Sequence, residues 1–325
     1  MNRINQILKP LQLQINKTKS LEKEKILYLE TVERISSYYT YFLSSLEYDL
    51  NNGIFGVVFS KDRAMQLQAL LSSYFYYTTN PALLIILFTY SSSKHKHAYE
   101  IIQKEFEDFP VSFIEETNFS EQLKQLVKRQ KEDRIFFMTD DAVFLDFYDL
   151  NDCLNFHPLQ NVFSLRLGQD LDFCYAYNKK QDIPLFTIEN VMEKEWNSWI
   201  WKDMYHSPDW SYPLSVDGSI FLRKEIETIL NYISFTSPNS LESQMQLLKD
   251  LFVQRKGICY SKAKYVNVPC NRVQNEFDNV FHNTYSVNEL ADKFLEGDRI
   301  KWEKFKELKA PEVQKIKFDF ESRVN

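Results

Sequence analysis

"RIFFMTDDAVFLD", Arg134–Asp146, decides how this chain is read. Ile135–Met138 is a short, wholly apolar run of the kind a strand covered on both faces requires. It stops on Thr139, Asp140 and Asp141, and apolar character then resumes. Two adjacent carboxylates at the end of a buried strand are costly unless a positive group faces them. The identity of that group is the question the stretch poses.

The same texture extends towards the N-terminus. "IFGVVFS" (Ile54–Ser60), "ALLIILFTY" (Ala82–Tyr90) and "PVSFIEE" (Pro110–Glu116) are apolar runs of strand length. Between them, "KDRAMQLQALLSSYFYYT", "KHAYEIIQKEFEDF" and "SEQLKQLVKRQ" place apolar residues at helical spacing. Strands alternating with helices predict an α/β fold, with a mainly parallel sheet flanked by helices. Ligands of such sheets lie at the carboxyl ends of the strands, where Thr139-Asp140-Asp141 is placed.

The second half reads differently. "FSLRLGQDLDFCYAY" (Phe163–Tyr177) alternates polar and apolar residues, which predicts antiparallel strands. "SPNSLESQMQLLKDLFVQ" is a helix and "GICYSKAKYVNVP" one or two strands. Ahead of the α/β part, Leu29, Val32, Ile35, Tyr39, Phe42 and Leu46 form one apolar helical stripe. The expected organisation is a helical extension (1–50), one mixed α/β domain (51–285, divided into 51–150 and 151–285) and a charged helical tail (286–325).

Composition bounds the function. The 325 residues are 44% hydrophobic, enough for a large core, and the net charge is −6, so no global basic field draws nucleic acid. Four cysteines show no C-x-x-C or metal-ligand spacing, which favours a reducing, cytoplasmic setting. The N-terminal segment has no apolar core of signal-peptide length, and Ala82–Phe88 is far too short to span a bilayer. A soluble protein is expected, with peripheral contact at the inner face of the membrane left open. The six glycines fall in neither a G-x-G-x-x-G nor a P-loop pattern. A phosphorylated ligand must therefore be neutralised by other means, for which a carboxylate-held divalent cation is the obvious candidate.

A βαβα series ending in an apolar strand plus "TDD" resembles the nucleotide-binding half of GT-A glycosyltransferases, in particular the bacterial family-2-like sugar transferases. "FSKDR", "SLRLG", "DWSYPLSVDGSIF", "SPNSLE" and "VNVPCNRVQN" look like further blocks of such enzymes, and the resemblance spans about Ile54 to Asn283. It implies a nucleotide-diphosphate sugar donor, with UDP-sugars favoured, and a divalent ion, Mn²⁺ or Mg²⁺, on the diphosphate. The implied acceptor is a growing bacterial surface glycan or its lipid-linked precursor. The strict motif would carry an acid where Thr139 stands; Asp141 matches the metal-contacting acid, and Asp140 the one that faces ribose or ion. Ser60, Lys61, Asp62 and Arg63 of "FSKDR", with Arg166 of "SLRLG", are the expected donor-binding residues.

An inverting transferase needs a carboxylate that takes the proton of the attacking hydroxyl. Glu242 is the first candidate and Asp217 the second, with Gly218 letting backbone approach a sugar. Each also has a plain structural reading: Glu242 favours a helix N-terminus, and Asp217-Gly218 makes a tight turn. Asp140-Asp141 is likewise readable as a turn or helix cap. Of the cluster Trp196, Trp199, Trp201 and Trp210, one or two, Trp201 or Trp210, are expected to be exposed as an acceptor platform and the rest buried, against the ordinary reading of core material. His282 is a further metal candidate, though a lone histidine is more often structural. Two alternatives stand beside this reading. One is a non-catalytic nucleotide- or glycan-binding scaffold on the same fold. The other is a nucleotidyltransferase, which would usually carry a glycine-rich loop that this chain lacks.

Overall fold

The computed structural model of the chain describes residues 53–174, 176–273, 284–307 and 317–323, and singly Glu22, Lys23, Ile26, Tyr39 and Leu50. The expected N-terminal helical extension lies outside the described residues except at those five single positions. Tyr39 is one of them, and its hydroxyl donates to Glu225 Oε1 at 2.9 Å.

The first half forms as its pattern predicts. Strand β1 (Ile54–Lys61) leads to helix α1 (Ala64–Tyr77), β2 (Leu83–Thr89) to α2 (Ser93–Glu105), and β3 (Val111–Glu115) to α3 (Phe119–Arg129), before β4 (Arg134–Thr139). After a turn come β5 (Ala142–Phe144), β6 (Asn161–Ser164), β7 (Thr187–Val191), β8 (Lys194–Ile200) and β9 (Ser219–Leu222). The domain then adds α4 (Arg223–Tyr232), α5 (Pro238–Gln246), β10 (Lys256–Cys259) and β11 (Tyr265–Asn267).

Nine strands make one sheet in the order β7-β8-β10-β6-β9-β4-β1-β2-β3. The block β4-β1-β2-β3 is parallel, as βαβ connections require. β9 enters antiparallel beside β4 and joins this block to the mixed second half.

Alternation along β1 and β4 builds two cores. Ile54, Val58, Phe136 and Met138 face one side, packed with α1 and α2. Phe55, Val57, Phe59, Ile135 and Phe137 face the other, packed with α3, α4 and α5. Continuous apolar strands are thus explained by burial on both faces. Gly56 is needed within β1, because a Cβ there would meet the Phe136 ring at 2.5 Å.

The C-terminal tail departs from a purely helical reading. Helix α6 (Val287–Leu295) is followed by β12 (Asp298–Ile300), which pairs antiparallel with β13 (Phe320–Ser322). Leu290, Phe294, Ile300 and Trp302 extend the core on the α1–α2 side. Ile300 and Phe320 are partners across that ribbon, so its apolar positions obey the period of a strand. Among the described residues, no helix is long and apolar enough to cross a membrane.

Candidate functional site

Parallel pairing sets Phe59 of β1 beside Thr139 of β4, so both strands open at the same place. Asp140 turns back under that opening and is buried. Its Oδ2 accepts from Ser60 Oγ at 2.9 Å and from the Lys61 backbone N–H at 3.2 Å; its Oδ1 accepts from Arg63 Nη1 at 2.9 Å. The same Nη1 lies 3.4 Å from Asp141 Oδ2. Arg63 also donates through Nε to Asn271 Oδ1 at 2.8 Å and through Nη2 to the Asn271 carbonyl. The positive group that the two carboxylates require is therefore an arginine of the chain itself.

Burial sets the electrostatics here. Desolvation lifts the Asp140 carboxyl to about 6, with the Asp141 charge adding to it and Arg63 opposing. Arg63 is desolvated too, yet Asp140 and Asp141 more than offset this and hold its proton above the ordinary range.

The expected donor loop is only partly free to meet a donor. Arg63 is committed to the two aspartates and Asn271, so it does not project towards a phosphate. Asp62 adopts φ 57 and its Oδ1 accepts from Ser91 N–H at 2.6 Å, stitching the end of β1 to the loop after β2. Ser60 is fixed between Asp140 and the Tyr99 hydroxyl. Lys61 is the exposed cation of this loop.

Asp217 arrives from the other half. β9 runs antiparallel to β4, so the turn preceding β9 meets the end of β4, where Gly218 N–H donates to Phe137 carbonyl at 2.8 Å. Gly218 has φ 67, and any Cβ there would strike the Tyr265 ring and hydroxyl, so both conformation and space require glycine. Thr139 Oγ1 lies 2.9 Å from Asp141 Oδ1 and 3.0 Å from Asp217 Oδ1. Asn267 Nδ2 sits 3.1 Å from Thr139 Oγ1, 3.2 Å from Asp141 Oδ1 and 3.1 Å from Asp217 Oδ1.

Glu242, on α5, completes the acid cluster. Its Oε1 accepts from Val216 N–H at 3.0 Å and Ser215 Oγ at 3.2 Å, holding the segment that carries Asp217. Burial, then the Asp217 charge, lifts the Glu242 carboxyl to about 7. Asp217 is raised by burial and by Asp141, with Arg166 opposing. Arg166 bonds Asp209 Oδ1 through Nη2 at 2.7 Å.

Asp140, Asp141, Asp217, Glu242, Gly218, Arg166 and the "FSKDR" loop thus come together at one sheet end. The two tryptophans do not. Trp201 and Trp210 are 2% and 0% exposed, which corrects the expectation of an open platform. Trp199 packs against both, with ring centroids 4.8 and 5.0 Å away, and Trp210 Nε1 bonds the Leu171 carbonyl. Close spacing of tryptophans was the signature of core packing. His282 lies outside the described residues. Among the described residues, no group of three or more His, Cys, Asp or Glu is arranged to hold a metal.

Asn267, Asp209 and Tyr265 were not singled out as site residues from sequence, and Thr139 stood out only as a departure from the strict motif. Asn267 lies within the "VNVPCNRVQN" block, and a polar residue ending the short run "YV" was its only local signal.

No protein-family model matches the chain. Over 292 residues, 79% of its length, the chain is 30% identical to the bifunctional glycosyltransferase pgtA of Dictyostelium discoideum. The match covers 37% of that protein, so the chain spans little more than a third of this curated relative's length. Among solved structures, TarS of S. aureus matches 66% of this chain and 36% of its own, with 13% identity and a TM-score of 0.43. TarS 1–349 in complex with UDP-GlcNAc matches 72% of this chain and 61% of its own, with 12% identity and a TM-score of 0.41. Both structural likenesses are loose, and the chemistry of the site rests on the chain's own residues.

Proposed function

We propose that the chain is a glycosyltransferase that moves a sugar from a nucleotide-diphosphate donor to a hydroxyl of a glycan or lipid-linked glycan. The observation that supports this most is the meeting of Asp140, Asp141, Asp217 and Glu242 at the carboxyl ends of β1 and β4, where an α/β sheet binds its ligand. The identity to pgtA over most of the chain supports the same reading. A role in bacterial surface polysaccharide synthesis rests on the family resemblance alone.

The reaction fits one inverting displacement. The acceptor oxygen bonds to the anomeric carbon as the bond from that carbon to the diphosphate oxygen breaks, and the acceptor's proton passes to a carboxylate. Glu242 suits that role: it is only partly buried, and its raised carboxyl titrates near neutral pH. Asp217 is the competing candidate on proximity.

A divalent cation fits the donor set at Asp141, whose Oδ1 faces other hard oxygens while Arg63 holds its Oδ2. One or two carboxylates plus substrate phosphates are a usual complement for Mg²⁺. When bound, such an ion offsets the charge that develops on the departing diphosphate.

Thermal stability measured against UDP-, GDP-, CMP- and dTDP-sugars, with and without Mn²⁺, tests this reading. A Mn²⁺-dependent rise is expected with one nucleotide, UDP being tried first, amounting to about 2.7 kcal/mol at a hundredfold excess over Kd. Asp141→Ala should keep the fold and lose both that shift and sugar transfer. Binding without transfer to any acceptor would favour the scaffold alternative, and no shift with any donor would remove the nucleotide-sugar reading.

A further inference from the structure

Two large aromatic side chains stand in solvent at the far end of α1. Tyr76 is 60% exposed and Phe147 57%, and their ring centroids lie 5.5 Å apart with the planes inclined by 41°. Both lean on buried rings: Tyr76 is 4.9 Å from Tyr77 and 5.5 Å from Trp302, and Phe147 is 5.0 Å from Tyr77. Single exposed apolar residues are ordinary, but adjoining aromatics on one surface call for an explanation.

The chain fixes this pair in place. Thr78 and Thr79 pair with Tyr148 and Asp149 as a two-residue parallel ladder, and Thr78 Oγ1 donates to the Tyr148 hydroxyl at 2.9 Å. Asn80 Nδ2 donates to both Asp149 carboxylate oxygens, at 2.9 and 3.1 Å. Lys264 Nζ donates to Asp146 Oδ2 at 2.8 Å and to the Phe147 carbonyl at 3.2 Å, while the Phe147 N–H donates to Asp146 Oδ1 at 2.9 Å. Aromatic faces ordered beforehand lose little entropy when a ligand covers them.

Size and charge select the partner. Two rings exposed to this degree offer roughly 200–300 Å² of apolar area, at about 150–250 Å² per aromatic side chain. A standard protein interface takes about 800 Å² from each partner, more than half of it apolar. Charge at the rim is answered within the chain, Asp146 by Lys264 and Glu303, beside Trp302, by Arg299. Lys306 is a single exposed cation acting on Asp146, against the cluster of about four to eight that an anionic bilayer recruits. What remains is a small aromatic surface edged by hydrogen-bonding groups. It matches the apolar C–H faces and outward hydroxyls of sugar rings.

We infer that Tyr76 and Phe147 form a subsite for a neutral glycan chain, separate from the place of transfer. The 14 residues of α1 lead from Arg63 at the site to Tyr77. At about 1.5 Å per residue that is about 20 Å, so a sugar stacked on Tyr76 is not the one that reacts. The subsite holds a distal part of the acceptor and raises the local concentration of its reactive end. This use rests on the glycosyltransferase reading, whereas binding at the rings needs no donor.

The test is saturation-transfer NMR and calorimetry on the full chain, without donor, using neutral oligosaccharides of glucose, galactose, mannose and N-acetylglucosamine. At least one series should bind through its ring protons. Tyr76→Ala and Phe147→Ala should each weaken that binding about tenfold, the order expected for one stacked ring and its buried area. Tyr76→Phe should retain it, since the ring face and not the hydroxyl is used. Melting temperature and the response to nucleotide-sugars should stay close to wild type in all three. Absence of binding by all four series, or binding indifferent to both alanine variants, would overturn the subsite. So would a dimer that Tyr76→Ala converts to monomer in sedimentation, which would assign the rings to a second copy. If oligosaccharides bind as expected but no donor does, the subsite stands and the transferase reading falls. If a donor binds and sugar is transferred while no oligosaccharide depends on the rings, the reverse holds.

Discussion

Asp140 and Asp141 are neighbours in sequence and opposites in environment. Asp140 is buried and saturated: an arginine, a serine hydroxyl and a backbone N–H all donate to it. Asp141 faces the more open side: its Oδ1 shares Thr139 and Asn267 with Asp217, and Arg63 reaches only its Oδ2, at 3.4 Å. One region is a closed ion pair that holds β1, β4 and the Asn271 segment together. The other is a set of side chains from three segments, more open to solvent and held by fewer donors. A single dipeptide thus joins a structural anchor to a reactive surface, and substitutions on its two sides should fail in different ways.

The largest effect is expected on the reactive side. Glu242→Gln removes the proton acceptor while leaving the Val216 and Ser215 contacts possible, so kcat should fall about 10²- to 10⁴-fold with donor binding kept. In wild type the rate should fall below about pH 7, because the base works only when ionised. Stability gives the sign independently. The folded carboxyl is raised above its unfolded value, so its stabilising contribution is full at acid pH and is lost as pH rises through about 7. Glu242→Gln cannot titrate, so its melting temperature should gain on wild type between pH 5 and 8. If turnover survives Glu242→Gln and fails in Asp217→Asn with Mn²⁺ binding intact, the assignment of the two acids is reversed.

Next comes the anchor. Arg63→Ala would leave Asp140 buried without its counter-charge and Asn271 without its donor, a loss of about 3–5 kcal/mol by denaturant unfolding. The damage should appear in stability before activity, unlike Asp141→Ala. Arg63→Lys should recover only part of it, because an ammonium cannot reproduce the forked contacts to Asp140 and Asn271. A loss below about 1 kcal/mol, the range of exposed ion pairs, would show that the pair is not the closed anchor described.

The same contrast explains what could be read from sequence. Strands β1, β2, β3 and β4 and their helices were legible because local periodicity and two-sided burial agree there. The site's acids were legible as residue types: an abrupt "TDD", a "DG" turn and a helix-borne glutamate. What faces them was not. Arg63 meets Asp140 across 77 residues, and Asn267 meets Thr139 across 128, so no local pattern links them. The tryptophans misled for a related reason: a side chain of that size has the same sequence signature in a core and on a platform, and only the covering segment decides. The tail misled through its charge, since its alternating strand positions are few and lie on either side of a long connection.

The smallest predicted effect examines the reactive side most finely. Tyr265 is buried, its hydroxyl lacks a partner, and burial together with the Asp217 charge keeps that hydroxyl firmly protonated. An idle buried donor is a penalty, so Tyr265→Phe should stabilise the chain in EDTA by about 0.5–1 kcal/mol, somewhat less than the usual cost of an unsatisfied group because some packing readjusts. With Mn²⁺ saturating, a cation held at Asp141 would change what the hydroxyl can donate to, and the advantage of phenylalanine should shrink or vanish. The measurement is a difference of differences between two proteins in two buffers, which cancels any general effect of Mn²⁺ on the fold. An advantage that is the same in EDTA and in Mn²⁺ would reduce Tyr265 to packing beneath Gly218, with no part in holding a cation at Asp141.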